Sequence, residues 1–141
     1  MQKIVDPNDT KAVRNLENTL ALYEGMINNK KAAETVPTYV ADSYVQHNPL
    51  VPDGPDGLAA AFGAVTDVHK ARVVPVRVIA VGDWVWTHVQ FTNLDNDDPD
   101  DRGTAGVDIL LFDDDGRAIE HWDVLQPIVD PTTAAHGNGQ L

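Results

Sequence analysis

Apolar residues near the start of the chain recur at spacings of three and four, the period of a helix with one buried face. The positions that share this face are Val13, Leu16, Leu20, Tyr23 and Ile27. Asp6 and Pro7 precede them as a predicted cap and first helical residue, because a carboxylate accepts unpaired N–H groups and proline lacks one. The pattern therefore predicts a first helix that packs on another element through one face.

Two more helices are predicted before the pattern changes. Residues 31–40 can form a short helix, in which Pro37 is expected to cause a kink or a break. A third helix is predicted to start at Pro55 or Asp56. Between these helices, Asn48 precedes a proline and should be extended. It leads into a loop rich in proline and glycine, and this composition favours a fixed conformation.

From residue 72 onward, apolar and polar positions alternate, which indicates strands. The four strand candidates cover residues 72–81, 84–92, 107–112 and 116–126. An Asp-Gly turn joins the last two as a hairpin. Two helices, a short strand, a third helix and then four long antiparallel strands predict an α+β fold, in which a strongly curved antiparallel sheet forms a cone around a cavity beside three N-terminal helices. We expect one domain over residues 1–128 and a flexible tail over residues 129–141.

The predicted hairpin carries titratable residues where buried strands should be apolar. Asp108 lies on its first strand, and His121 and Asp123 lie on its second. Because strand side chains alternate between faces, His121 and Asp123 point one way and Trp122 points the other. If the shared face is concave, the hairpin places these groups in an apolar cavity. For Asp108, the alternative is a structural carboxylate that accepts hydrogen bonds from loop amides or an arginine.

The strand before the hairpin has two different faces. One face carries Trp84, Trp86, His88 and Gln90, and the other is almost entirely apolar. His88 either belongs to the cavity or fills a polar notch in the core. The tryptophans are core or interface aromatics, or they line a flat pocket suited to a polycyclic ligand. Tyr23 in the first helix either packs in the core or tips its hydroxyl into the same pocket.

The composition excludes several classes of function. The formal net charge is −12 at pH 7, so repulsion argues against nucleic acid and anionic membranes as partners. The absence of cysteine removes disulfides, thiolate nucleophiles and cysteine metal ligands. The start of the chain lacks the apolar run of a signal peptide, and no apolar run is long enough to span a bilayer, so we expect a cytoplasmic protein.

Three groups of residues together resemble the SnoaL-like polyketide cyclases, a family with the nuclear transport factor 2-like fold. They are the His47-Asn48-Pro49 turn with the glycines after it, the run from Gly82 to His88-Val89, and Glu120-His121-Trp122-Asp123-Val124 with Gln126. The resemblance implies a metal-free and cofactor-free acid/base enzyme, either a cyclase that closes a ring by an intramolecular aldol step or a related isomerase. It also implies a homodimer that pairs through the outer face of the sheet.

The resemblance and the residues together give a site hypothesis. Asp123 matches the family aspartate that removes a proton next to a carbonyl, and Asp108 and His88 are further predicted catalytic residues. The predicted substrate-binding residues are His47, Asn48, His121, Trp122, Trp86 and Tyr23. A metal at His121 and Asp123 would need a third ligand from His88 or His47, and no metal or cofactor is predicted. The expected ligand is a hydrophobic, oxygenated small molecule. The alternative is a non-catalytic binding or dimerisation module of the same fold.

Overall fold

A computed structural model describes all of residues 1–141. The three helices are α1 (Thr10–Tyr23), α2 (Ala32–Tyr39) and α3 (Gly54–Val68), and a π-helical turn (Glu24–Asn28) extends α1. The six strands are β1 (Gln2–Ile4), β2 (Val40–Gln46), β3 (Arg72–Val81), β4 (Trp84–Thr92), β5 (Thr104–Phe112) and β6 (Ala118–Pro127). The three predicted helices and the four long strands are confirmed. Strand β1 has no counterpart among the predicted elements.

The six strands form one curved, mixed sheet that does not close, in the order β1-β3-β4-β5-β6-β2. The four long strands pair in the predicted antiparallel manner. The two short strands at the edges pair in parallel, β1 with β3 and β2 with β6, so the prediction of an antiparallel sheet does not hold there. No helix has the length and apolarity that crossing a membrane requires.

The core lies between the helices and the concave face of the sheet. Leu16, Ile27 and Val36 from the helical layer and Val78 and Val85 from the sheet are almost completely buried. Burying a side chain of this size contributes about 1.5–3 kcal/mol relative to leaving it exposed. Leu16, Tyr23 and Ile27 of the predicted face are buried, whereas Val13 and Leu20 are half-buried and the polar residues Asn15 and Thr19 are completely buried, so the buried face of α1 is rotated from the predicted one.

The start of α1 differs from the prediction, because Asp9 and not Asp6 caps the helix. The Oδ1 atom of Asp9 accepts a hydrogen bond from the backbone N–H of Ala12 at 2.9 Å, and its Oδ2 accepts one from the N–H of Gly82 at 3.0 Å. These bonds, with that to Ala12 first, lower the pKa of Asp9. One carboxylate therefore both caps the helix and ties it to the turn between β3 and β4, while Asp6 closes the preceding turn.

Pro37 lies inside α2, and the predicted break does not occur, because the helix continues to Tyr39. Pro37 removes one backbone hydrogen bond. Ala32 and Val36 are buried on the other side of this short helix, so packing holds it in place. The chain then passes directly into β2 at Val40, and this continuity places the end of β2 beside β6.

Candidate functional site

A cavity of about 60 Å³ lies between the helices and the concave face of the sheet. We call it the inner cavity. Of its 14 lining residues, 10 are hydrophobic, and the four polar ones are Asn48, Asp108, His121 and Asp123. The fold therefore builds the apolar cavity with titratable groups that the late hairpin suggested, and His121 and Asp123 both face it.

A second cavity, of about 350 Å³, lies next to the first, and we call it the outer cavity. The residues that line both are Asn48, Val51, Phe62, Phe91 and Asp123. The outer cavity is completed by the apolar residues Leu50, Ala61, Val65, Leu94 and Leu125. Asp123 and Asn48 thus stand at the boundary, where a ligand in either cavity meets them.

The pairing register of the sheet brings the polar groups together. Thr87 pairs with Asp108, and Asp108 pairs with Asp123, so the three side chains form a row across the concave face. One ligand atom each from Asp108, His121 and Asp123 lies within 4.8 Å of the others. These three are the residues that could hold a cation in the cavity, or share protons there. His47 and His88, the predicted sources of a third metal ligand, are not part of this group.

Asp108 is the most buried member of the row, with 3% of its surface exposed. Its Oδ2 atom accepts a hydrogen bond from the Tyr23 hydroxyl at 2.5 Å, and that hydroxyl also bonds to Thr87 Oγ1 at 2.7 Å. Burial, followed by the negative charge of Asp108, raises the pKa of Tyr23 well above its ordinary value. Tyr23 therefore remains a proton donor. The alternative explanation for Asp108 expected a loop amide or an arginine as its hydrogen-bond donor. Neither bonds to Asp108, and the Tyr23 hydroxyl is the donor instead.

Asp123 is held by a hydrogen bond from Asn48. Asn48 precedes a proline, which was expected to keep its backbone extended. Asn48 Nδ2 donates to Asp123 Oδ2 at 2.6 Å, and Asn48 Oδ1 accepts from the backbone N–H of Leu50 at 2.9 Å. The two sides of the Asn48 amide thus bond to the loop and to the carboxylate. No protein group donates a hydrogen bond to the other Asp123 oxygen, Oδ1, so this oxygen can accept a proton from a ligand.

Two further residues at the site, Tyr44 and Gln46, are not among the predicted ones. Gln46 Oε1 bonds to His121 Nδ1 at 2.8 Å, and Gln46 Nε2 donates to the Tyr44 hydroxyl at 3.0 Å. Burial, followed by the charges of Asp108 and Asp123, raises the pKa of Tyr44 well above its ordinary value. The spacing of Tyr44 and Gln46 puts them on one face of β2. Identifying them would have required knowing that β2 pairs with β6.

His88 and Trp86 lie on the outer, convex face of the sheet, so their predicted placement in the cavity is wrong. The buried positions of β4 are Val85, Thr87, Val89 and Phe91, and strand alternation turns the residues between them outward. His88 Nδ1 bonds to Arg77 Nη1 at 2.8 Å on that face, and 48% of the Trp86 surface is exposed. Neither residue can contact a ligand in the inner cavity.

Trp122 and His47 also lie outside the cavity, contrary to the prediction that they bind substrate. Their rings stack on each other with centroids 4.7 Å apart, and Trp122 stacks on Trp84 at 5.9 Å. His47 Nε2 pairs with Glu120 Oε1 at 2.8 Å. Trp122 is turned outward because its neighbours on β6, His121 and Asp123, face the cavity.

Solved structures similar to this one share its architecture. A nuclear transport factor 2-like protein of unknown function from Mesorhizobium loti is 17% identical, with 87% of this chain and 98% of that chain covered and a TM-score of 0.68. A Bacillus cereus protein provisionally named a polyketide cyclase is 21% identical, with 89% and 84% covered and a TM-score of 0.72. A Kribbella flavida protein provisionally named a ketosteroid isomerase is 15% identical, with 94% and 92% covered and a TM-score of 0.70. The chain therefore has the nuclear transport factor 2-like fold.

The family can be stated more narrowly. The model of the SnoaL-like domain family matches residues 19–121, which include the end of α1, all of α2 and α3, strands β2 to β5 and the start of β6. The chain belongs to the SnoaL-like family, and the resemblance seen in its sequence is confirmed. A search of curated protein sequences gives no match.

Proposed function

We propose that this protein is an acid/base enzyme that moves a proton next to a carbonyl group of a largely apolar small molecule, in a cyclase or isomerase reaction. The observation that carries the proposal is the convergence of Asp108, His121 and Asp123 on one cavity with apolar walls. A binding module needs no such cluster of titratable groups, because burying these groups is unfavourable unless they are paired with one another or take part in a reaction. The names of the Bacillus cereus and Kribbella flavida proteins fit the same class of chemistry.

Asp123 is the base in this proposal. Asn48 holds one of its oxygens, and the other is available at the boundary of the two cavities. Oδ1 takes a proton from the carbon next to the substrate carbonyl, the electron pair of that C–H bond forms a C=C bond, and the π pair of the carbonyl moves to its oxygen to give an enolate. A carboxylate positioned in this way contributes about 10²–10⁴-fold to the rate of such a step.

The developing enolate oxygen needs a hydrogen-bond donor, and Tyr44 is suited to that role. Its hydroxyl accepts a hydrogen bond from Gln46, while no protein atom accepts its own proton. The raised pKa of Tyr44 keeps this proton in place for donation. In an isomerase reaction, Asp123 returns the proton to another carbon of the enolate. In an aldol cyclisation, the enolate carbon attacks a second carbonyl, whose oxygen takes up a proton from the His121 and Asp108 pair, and Asp123 then returns its proton to that pair.

The test is deuterium exchange into small ketones, followed by NMR, with wild-type protein and Asp123→Asn. We expect the substitution to lower the exchange rate about 100-fold or more, since an amide cannot accept the proton. Asp67→Asn is the matched control, because Asp67 is exposed on α3 and makes no ion pair or side-chain hydrogen bond. Equal rates for wild type and Asp123→Asn would remove Asp123 from the role of base. Ketone binding without any exchange by the wild type would favour the non-catalytic module.

We also propose that the protein forms a homodimer through the outer face of the sheet. Cross-strand pairing aligns Ile79, Trp86, Ile109 and Trp122 in one row on that face. Ile79 and Trp86 are 44% and 48% exposed, and exposed apolar patches mark sites of association. Light scattering should give about twice the chain mass of 15.3 kDa, and Trp86→Glu should give the mass of one chain. Val68→Glu, on an exposed part of α3, is the control. A monomeric wild type would contradict this proposal.

A further inference from the structure

The two cavities differ in size and lining, and the difference constrains the shape of a ligand. The outer cavity, about 350 Å³, has eight hydrophobic residues among its ten. The inner cavity, about 60 Å³, adds Asp108 and His121 to the shared Asp123. Ligand pockets in proteins usually span about 300–1,000 Å³, so only the outer cavity holds the body of a substrate. A molecule that fills both has a small polar head and a larger apolar body.

The charge of the lining constrains the ligand further. No lysine or arginine lines either cavity, whereas Asp123 lines both and Asp108 lines the inner one. A carboxylate or phosphate entering the site would lose its hydration without meeting an opposite charge. The net charge of −12 adds repulsion at longer range. An anionic substrate is therefore disfavoured at every stage of binding.

The hydrogen-bonding groups favour an acceptor on the head of the ligand. The Tyr44 hydroxyl has a proton that no protein atom accepts, while the Tyr23 proton is used on Asp108. A carbonyl oxygen can accept the Tyr44 proton. An ammonium group would instead pair with Asp108 and Asp123 and so occupy the base on which the proposed reaction depends.

We infer that the site takes an uncharged carbonyl compound whose compact head, of a few heavy atoms, enters the inner cavity while an apolar tail lies in the outer one. This inference rests on the proposed function and narrows its substrate class. It also replaces the polycyclic ligand that a tryptophan-lined pocket would suit, because the inner cavity is small and no tryptophan lines either cavity.

The exclusion of anions is tested with two probes of equal chain length, octan-2-one and octanoate. Their Kd values come from NMR titration of ¹⁵N-labelled protein, with the side-chain amide of Asn48 as a reporter inside the site. We expect the ketone to bind at least tenfold more tightly than octanoate. Equal or tighter binding of octanoate, or no binding of the ketone, overturns the inference. Because binding is measured and not turnover, a failed exchange assay with this preference intact would count against the proposed function alone.

The two-part geometry is tested by comparing butan-2-one with octan-2-one. Each methylene removed from water lowers Kd by about fourfold at most, so we expect the longer ketone to bind at least tenfold more tightly. Ala61 lines only the outer cavity, and Ala61→Phe should weaken octan-2-one binding at least tenfold while leaving butan-2-one within threefold. Ala64→Phe, on the exposed side of the same helix, should change neither. If Ala61→Phe weakened the binding of both ketones equally, the proposal that the head and the tail occupy different cavities would be refuted.

A second inference comes from Gln46, whose amide oxygen accepts three hydrogen bonds. The donors are the backbone N–H of His47 at 3.0 Å, the backbone N–H of Asn48 at 3.0 Å, and Nδ1 of His121 at 2.8 Å. A backbone N–H can only donate, so the shared atom must be the oxygen of the amide. His121 must therefore carry a proton on Nδ1, whether its ring is neutral or charged.

We propose that Gln46 is a positioning residue that fixes the tautomer of His121. With Nδ1 protonated, Nε2 is the only ring nitrogen that gains or loses a proton, and it lies 3.7 Å from Asp108 Oδ1 at the cavity. This directs proton transfer by His121 toward the cavity and away from the β2 side. Unlike the ligand class, this assignment rests on the hydrogen-bond geometry of Gln46 and does not depend on the size of the cavities.

The test is long-range ¹H–¹⁵N NMR of histidine-labelled protein, at a pH where His121 is neutral. We expect wild type and Gln46→Glu to hold His121 in the Nδ1–H form, because a carboxylate preserves the acceptor. Gln46→Met should shift His121 at least partly to the Nε2–H form, which a histidine side chain in water prefers. An Nε2–H tautomer in the wild type, or an unchanged Nδ1–H tautomer in Gln46→Met, overturns the assignment. A purely structural role for Gln46 would lower stability without moving these signals.

Discussion

Removing the Tyr23 hydroxyl tests whether its hydrogen bonds to Asp108 and Thr87 stabilise the folded protein. Tyr23 is 5% exposed, and its hydroxyl bonds to Asp108 at 2.5 Å and to Thr87 at 2.7 Å. Tyr23→Phe leaves a buried carboxylate oxygen and a buried threonine hydroxyl without this partner. A hydrogen bond to a charged group contributes about 1.5–3 kcal/mol, and the bond to Thr87 about 1 kcal/mol.

These contributions are partly offset, because the substitution also removes a hydroxyl that had to be desolvated on folding. We therefore expect Tyr23→Phe to lower the free energy of unfolding by about 2 kcal/mol, a large part of a total that is about 5–15 kcal/mol for most domains. The corresponding change in Tm is a fall of roughly 8 °C for a chain of this size. The ring itself remains, so the loss reports on the hydroxyl and not on packing.

The assay is urea unfolding at neutral pH, followed by tryptophan fluorescence. Tyr39→Phe is the matched control, since Tyr39 packs against the core but makes no hydrogen bond through its hydroxyl. We expect the control to change stability by less than about 0.5 kcal/mol. If Tyr23→Phe changed stability no more than Tyr39→Phe, the Tyr23 hydroxyl would contribute nothing to folding, and the description of Asp108 as held by Tyr23 would be refuted.

Two further predictions concern pH and metal. The free energy of unfolding should fall as pH rises above 10.0, the ordinary pKa of tyrosine, because burial raises the pKa of Tyr23 and Tyr44 in the folded protein and only the unfolded chain then releases these protons. Urea unfolding at pH 9 and pH 11 should show a smaller loss for Tyr44→Phe than for wild type, and equal losses would contradict this. Ketone exchange should be unchanged after dialysis against EDTA, because a carboxylate base needs no metal. A loss that zinc restores would instead make Asp108, His121 and Asp123 a metal site.

The alternation of residues along β4 and β6 could be read from the sequence, but the direction of each face could not. A period of two shows that His121 shares a face with Asp123, and that Trp86 shares one with His88. It does not show which face is concave. On β6 the polar pair faces the cavity, whereas on β4 the polar and aromatic set faces outward. The misplacement of His88 and Trp86 follows from assuming that titratable residues face inward on both strands.

The contribution of β2 was harder to predict, because it depends on contacts between distant parts of the chain. Strand β2 pairs in parallel with β6, and this pairing brings Gln46 next to His121. Neither residue carries a local signal of the other, since 75 positions separate them. Asn48 could be identified because the proline after it restricts its backbone. Tyr44 and Gln46 have no comparable local sequence signal, although Gln46 bonds to both Tyr44 and His121 at the site.

The two carboxylates of the site occupy different positions, and the difference explains why Asp123 and not Asp108 is assigned as the base. Asp108 is 3% exposed and lines only the inner cavity, with Tyr23 bonded to one oxygen and His121 near the other. Asp123 lines both cavities, so a ligand lying across their boundary passes it. A base must reach the substrate carbon with a free oxygen, and only Asp123 combines that access with a free oxygen. Asp108 is better placed to fix Tyr23 and to exchange a proton with His121 than to touch a substrate carbon.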